Sequence, residues 1–229
     1  MNATESAIQL EDVRFSYGKG RDVLRIREFE TKRGEHVFVF GPSGSGKTTL
    51  LGLLAGVLRA SSGAVRVLGQ DLTTMSPPQR DSFRASHIGY IFQLFNLIPY
   101  LNVRDNITLP CKLSRERIRR VKDASLNVSV KRIAEHLGIA QLLNESVTNL
   151  SVGQQQRVAA ARSLIGTPEL VIADEPTSSL DYDHREKFVE LLFQECRDSG
   201  STLIFVSHDR TLMPLFHRCV SLSEINEAD

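Results

Sequence analysis

The sequence lacks an excess of charge of either sign. Lys and Arg number 28 and Asp and Glu 27, a net charge of +1 over 229 residues. That balance excludes binding to nucleic acid by bulk electrostatics, and no nucleic-acid partner is expected. Long hydrophobic runs are missing too: no window approaches 18 uninterrupted apolar residues, so no helix is expected to span a bilayer. The N-terminal MNATESAIQLEDV has neither a basic stretch nor a long apolar run, and so does not read as a signal peptide. Cysteine is scarce. Cys111, Cys196 and Cys219 are far apart in no metal-ligand spacing, which suits free thiols in a reducing compartment. Internal repeats and low-complexity linkers are lacking as well.

What is present suits one or two domains with a real core, at 41% hydrophobic and 24% charged residues. Short β-type runs punctuate the chain: AIQLEDV, HVFVF, AVRVLG, IGYIF, LVIAD, TLIFVS and CVSL. Several are continuously apolar and β-branched, as buried parallel strands are. Helical patterns lie between them, in KTTLLGLLAGVL, QQQRVAAARSLIG and HREKFVELLFQECRDSG, the last stopped by Gly200. The alternation predicts an α/β fold with a mostly parallel sheet core. The early strands, with glycine turns at Gly63 and Gly69, predict an antiparallel β flank. A mostly helical segment of about residues 82–151 interrupts the alternation and reads as an inserted helical subdomain, between core segments of about 1–81 and 152–229. Five of the eight residues from Arg115 to Lys122 are basic, with Ile118 and Val121 among them at helical spacing. A solvated helix face is the expected arrangement there.

The sharpest chemical signal is GPSGSGKTT, Gly41, Pro42, Ser43, Gly44, Ser45, Gly46, Lys47, Thr48 and Thr49. It fits G-x-x-x-x-G-K-[ST], follows the strand HVFVF and precedes a helical run, the context the motif requires. Its glycines let backbone N–H groups turn toward a phosphate chain. Lys47 can reach terminal phosphates, and the Thr48 hydroxyl suits Mg²⁺. A second signal is LVIADEP, an apolar strand ending in two acids. Asp174 is placed to hold Mg²⁺ through water. Glu175 is placed to act as general base toward the water attacking the terminal phosphate, or to orient it.

Together these residues resemble the nucleotide-binding subunits of ABC transporters. GPSGSGKTT looks like Walker A and LVIADE like Walker B; YIFQ puts Gln93 at the Q-loop position, where it would add to the metal site. LSVGQQQR resembles the ABC signature, SSLD the D-loop with Asp181 at the dimer seam, and VSHD the switch histidine, His208. Tyr17, in FSYG, stands where the family stacks an aromatic ring on adenine. The resemblance implies ATP and Mg²⁺ as ligands, and a head-to-tail homodimer in which each ATP is capped by the partner's Ser151, Gly153 and Gln154. It also implies an integral membrane permease that holds the chain at the cytoplasmic face of the bacterial inner membrane. Leu94, Phe95, Leu97 and Ile98 form an apolar cluster beside Gln93, where the family receives the permease's coupling helix.

The wording is most similar to the lipoprotein-releasing, macrolide-export and cell-division (LolD/MacB/FtsE) group. The expected role is an ATP-hydrolysing subunit that drives a separate FtsX/MacB-like permease in export, lipoprotein release or mechanotransmission. The alternative is an ATP-driven module that switches periplasmic cell-wall hydrolases through a membrane partner. A soluble ABC ATPase of DNA repair or translation fits less well, because the chain has neither a second cassette nor a long coiled-coil insertion. One position departs from the family's L-S-G-G-Q. Val152 replaces a glycine, so either the backbone there is ordinary or the signature is weakened.

Overall fold

A computed structural model describes residues 6–18, 20–178, 180 and 182–228. In chain order the elements begin with β1 (Ser6–Phe15), β2 (Leu24–Lys32), β3 (His36–Phe40), α1 (Lys47–Leu54), β4 (Ser62–Val67), β5 (Gln70–Asp71) and α2 (Pro77–His87). There follow β6 (Ile88–Ile91), α3 (Val103–Leu113), α4 (Arg115–Arg119), α5 (Leu126–His136), α6 (Val152–Leu164), β7 (Leu170–Asp174) and α7 (Tyr182–Ser199). The last are β8 (Thr202–Val206), β9 (Arg218–Ser221) and α8 (Leu222–Ile225). The chain divides into two compact units, residues 1–84 with 202–229, and residues 85–201.

The first unit holds an antiparallel sheet in the order β2-β1-β4-β5, and β3 paired in parallel with both β8 and β9. Strand β2 is additional to the apolar runs read from the sequence. Its charged residues alternate with Leu24, Ile26 and Phe29, which are buried while the charges face out. In β1 the buried alternation runs through Ile8 and Leu10, with Ala7 buried beside them, and then through Val13 and Phe15. The change of parity is a bulge: the register against β4 shifts between Glu11 and Arg14, and Asp12 has φ 49°. Opposite it Gly63 has φ 82°, and a Cβ there would lie 2.4 Å from the Asp12 carbonyl oxygen. Only glycine fits. Strands β3 and β8 are buried apolar runs, with the Phe38 and Phe205 rings stacked at 6.0 Å and Phe216 against both. That packing anchors the chain where β3 enters the phosphate loop.

The second unit is built around α6, which packs against α3, α5, α7 and β6. From Val158 to Leu164 every residue of α6 is buried. Small side chains at Ala159, Ala160 and Ala161 admit close neighbours. Strand β6 runs so near that a Cβ on Gly89 would lie 2.3 Å from the Ser163 carbonyl oxygen. β6 and β7 pair in parallel, Ile88 with Leu170 through Ile91 with Ala173.

The expected solvated face over 115–122 holds at Arg115, Glu116, Arg119 and Lys122, which are exposed, and is corrected at Arg117. Arg117 is 1% exposed, whereas the apolar Ile118 is 49% exposed. The Arg117 guanidinium donates to the carbonyls of Ala85, Ile88, Ser163 and Ile165 at 2.5–3.2 Å. Two of those carbonyls lie at the C-terminal end of α6, where helical partners run out. An arginine offers five N–H donors in one plane and no apolar residue offers any, so satisfying these buried acceptors overrides the helical periodicity. Arg120 is also engaged, with the Ser86 carbonyl, Glu116 and Glu169.

Candidate functional site

The phosphate loop joins β3 to α1. Its backbone turns at Gly44 (φ 80°) and Gly46 (φ 96°), and a Cβ on Gly46 would strike Leu24 Cδ2 at 2.7 Å. Gly46 is the N-cap of α1, and no side chain caps that terminus. By contrast, Asn102, Ser125 and Ser151 each cap their helices with a side-chain oxygen. An uncapped helix start leaves its first N–H groups without side-chain partners, an arrangement that suits an anion. Lys47 Nζ lies over the loop, donating to the Gly41 and Pro42 carbonyls at 2.9 Å. Ser43, Gly44 and Thr48 are exposed, while Ser45 Oγ is buried without a hydrogen-bond partner. That oxygen packs against Gly41, where a Cβ would lie 2.7 Å from it, so only glycine fits at this point of the loop.

Tyr17 lies beside this loop. Its hydroxyl is 3.2 Å from Thr49 Oγ1, its ring meets Phe15 edge-on at 4.9 Å, and it is 61% exposed. The C-terminal segment supports the loop in a way the sequence did not signal. Asn226 donates to the carbonyls of Val23 and Ser45 and accepts from the Arg25 N–H. An asparagine near a chain end carries no motif, so only the fold brings it there. His208 is exposed just beyond β8, and the next residue, Asp209, caps the following turn by accepting from Thr211.

In the second unit, β7 ends at Asp174, which is half-buried, and Glu175 follows, 8% exposed with φ 48°. A left-handed backbone at a non-glycine residue costs about 1–3 kcal/mol and concentrates at working sites. The turn is held by Ser178 N–H to Glu175 O and Leu180 N–H to Thr177 O, both 3.1 Å. It is also held by Gln156 on α6, whose Nε2 donates to the Pro176 carbonyl. Burial, with the Asp174 carboxylate as a second cause, pushes the Tyr90 phenol well above its usual range. Gln93 is exposed in the turn after β6. The apolar cluster next to it divides: Leu94 is 82% exposed and Phe95 is buried. Arg162 of α6, buried, donates to the carbonyls of Phe95 and Asn96 at 2.6 Å, and these residues have φ 60° and 48°.

The signature forms the start of α6. Ser151 is the N-cap: its hydroxyl accepts from Gln154 N–H, and the Gln154 side chain accepts from Ser151 N–H. This is a capping box. Val152 is the first helical residue, 49% exposed and outside the left-handed region. The ordinary-backbone alternative therefore holds at this position. The helix begins at Val152, two residues before Gln154. Gly153 lies within it, where a Cβ would only touch Leu180 at 3.5 Å. Asp181 lies outside the described residues.

In the first unit Thr48 carries a hydroxyl, and in the second Gln93 and Asp174 carry an amide and a carboxylate oxygen, each a hard donor of the kind Mg²⁺ takes. Among the described residues no three His, Cys, Asp or Glu side chains cluster to hold a metal.

The ABC transporter family matches residues 24–178. The ABC transporter ATP-binding protein YbbA of Escherichia coli (strain K12) is 41% identical over 221 residues, covering 95% of each chain. The lipoprotein-releasing system ATP-binding protein LolD of Porphyromonas gingivalis is 35% identical over 205 residues, 90% of this chain and 91% of LolD. Among solved structures, the dimeric post-hydrolysis state of the ATP-binding cassette MJ0796 with ADP and Pi superposes with a TM-score of 0.78. It is 31% identical and covers 93% of both chains. The chain therefore belongs to the ABC transporter family, as an ATP-binding cassette that hydrolyses ATP.

Proposed function

We propose that two copies of this chain close head to tail on two ATP molecules, each copy's signature capping the nucleotide held by the other's phosphate loop, and that this closure drives a separate membrane permease. The supporting observation is the start of α6. Ser151 is exposed, its hydroxyl serves the cap only as an acceptor, and its own proton is left to donate. The helix places its positive end at the same point. A terminus of this kind contributes about 0.3–1 kcal/mol, up to about 2 when partly buried. The Ser151 hydroxyl and the backbone N–H of Gly153 must therefore add to it to hold a γ-phosphate. The likeness to a dimeric cassette with ADP and Pi supports the same reading.

Within each site Lys47 and the loop N–H groups take the phosphate chain, and Tyr17 stacks on the base. Thr48, Asp174 and Gln93 hold Mg²⁺, which when bound neutralises developing charge on the phosphates. Glu175 orients and deprotonates the attacking water, His208 donates toward the γ-phosphate, and Asp181 organises the seam between copies. The surface around Leu94 receives the permease, an FtsX/MacB-like protein, and so holds the cassette at the cytoplasmic face of the membrane. Among the described residues no helix is long and apolar enough to cross a membrane. The similarity to LolD supports lipoprotein release as the work done.

The test is Glu175→Gln with ATP and Mg²⁺, measured by sedimentation. Removing the base stops hydrolysis with the nucleotide in place, so a stable dimer is expected, which dissociates when ATP is replaced by ADP. A variant that binds ATP and stays monomeric would count against the head-to-tail scheme.

A further inference from the structure

We infer that Gln156 is a positioning residue for Glu175, and that through it the signature helix of each copy sets the geometry of that copy's own catalytic carboxylate. The inference rests on the proposed two-site dimer. Gln156 is fully buried on α6, and its Nε2 donates to the carbonyl of Pro176, the residue after Glu175. Its Oε1 is buried with no hydrogen-bond partner. A buried amide with one satisfied and one orphaned group is a poor stabiliser, because the orphan bears a desolvation cost that an apolar side chain would avoid. What such a residue contributes is the placement of its one bonded partner.

That partner matters because the turn is strained. Glu175 is in the left-handed region at φ 48°, immediately before a proline, and a proline restricts the residue ahead of it. Such a conformation persists only where its surroundings hold it. Ser178 N–H holds the turn from within, and Gln156 holds it from a separate element. Gln156 and Ser151 are five residues apart on one helix, about 7.5 Å along its axis at 1.5 Å per residue. The cap that meets the partner's nucleotide and the hook on this copy's catalytic turn thus move as one body. Engagement of the signature at one site is transmitted to the carboxylate that works at the other.

The experiment compares the full chain with Gln156→Met, which keeps the side-chain length and removes the donor. Three quantities are read: the single-turnover rate of ATP hydrolysis with protein in excess, the half-saturating ATP concentration, and hydrogen exchange over residues 175–180. The expected result is a rate roughly 10-fold to 100-fold lower at saturating ATP, the range set by losing one buried hydrogen bond. ATP half-saturation stays within about twofold, and the Ser178 and Leu180 amides exchange on the order of tenfold faster. An unchanged rate and unchanged exchange would overturn the inference. So would a rate loss accompanied by lost ATP binding or a general loss of protection, since a merely structural role produces that. Should Gln156→Met fail to fold, Gln156→Asn takes its place: it keeps the amide one methylene short of the carbonyl, and full activity in it overturns the inference. ATP-driven dimerisation of Glu175→Gln is followed in parallel. If that fails while exchange over the turn still responds to Gln156→Met, the dimer reading falls and the local contact stands.

Discussion

Ser151 has two roles that a single substitution confounds and a pair of substitutions separates. In the isolated chain it is the N-cap of α6, bonded reciprocally with Gln154. In the proposed dimer it donates to the partner's γ-phosphate. Ser151→Ala removes both, and the cap alone is worth about 0.5–2 kcal/mol of stability. Ser151→Asp removes only the second. Aspartate caps as well as serine, and its charge favours a helix N-terminus, so the chain is expected to unfold within about 0.5 kcal/mol of wild type in urea. In the dimer that carboxylate would face phosphate oxygens. Two like charges about 4 Å apart at an effective dielectric near 20 repel by about 4 kcal/mol, roughly a thousandfold in association for each of the dimer's two sites. The assay is sedimentation with ATP and Mg²⁺ in the Glu175→Gln background, next to urea unfolding of the same proteins. Ser151→Asp is expected to be stable and monomeric. If it dimerises on ATP as the parent does, Ser151 does not face a phosphate and the capping scheme is wrong.

Two other outcomes follow from the second unit and the thiols. Arg117→Met withdraws donors from four buried carbonyls and is expected to destabilise by about 3–5 kcal/mol, read as a lower urea midpoint. Burial lowers the Arg117 pKa to about 10. Folded and unfolded chains therefore both hold that proton below about pH 9, and the loss should be flat from about pH 6 to pH 9; a loss that varies across that window would contradict the assignment. Cys111 and Cys196 are buried and Cys219 is exposed, and burial pushes all three thiols above their usual range. Titration with a thiol reagent near pH 8 is expected to find one reactive group in the folded chain and all three in urea, with reaction at Cys219 quickening as the pH rises.

The phosphate loop, the strand that ends at Asp174 with Glu175 after it, and the signature helix were legible in the residues alone. Each is a contiguous stretch whose chemistry depends on residue type and local backbone. Its glycines, apolar run or capping box act over fewer than ten residues, and local periodicity and capping rules apply at that range. Tertiary structure decided the rest. It turned Arg117 inward and Ile118 outward, because four carbonyls from distant segments needed a donor. It put Asn226 under the phosphate loop from 181 residues away, set Glu175 in the left-handed region, and brought Gln156 to the Pro176 carbonyl. None of these has a local signature: each depends on which buried polar groups the packing leaves to be satisfied, and that demand arises only once the elements have come together.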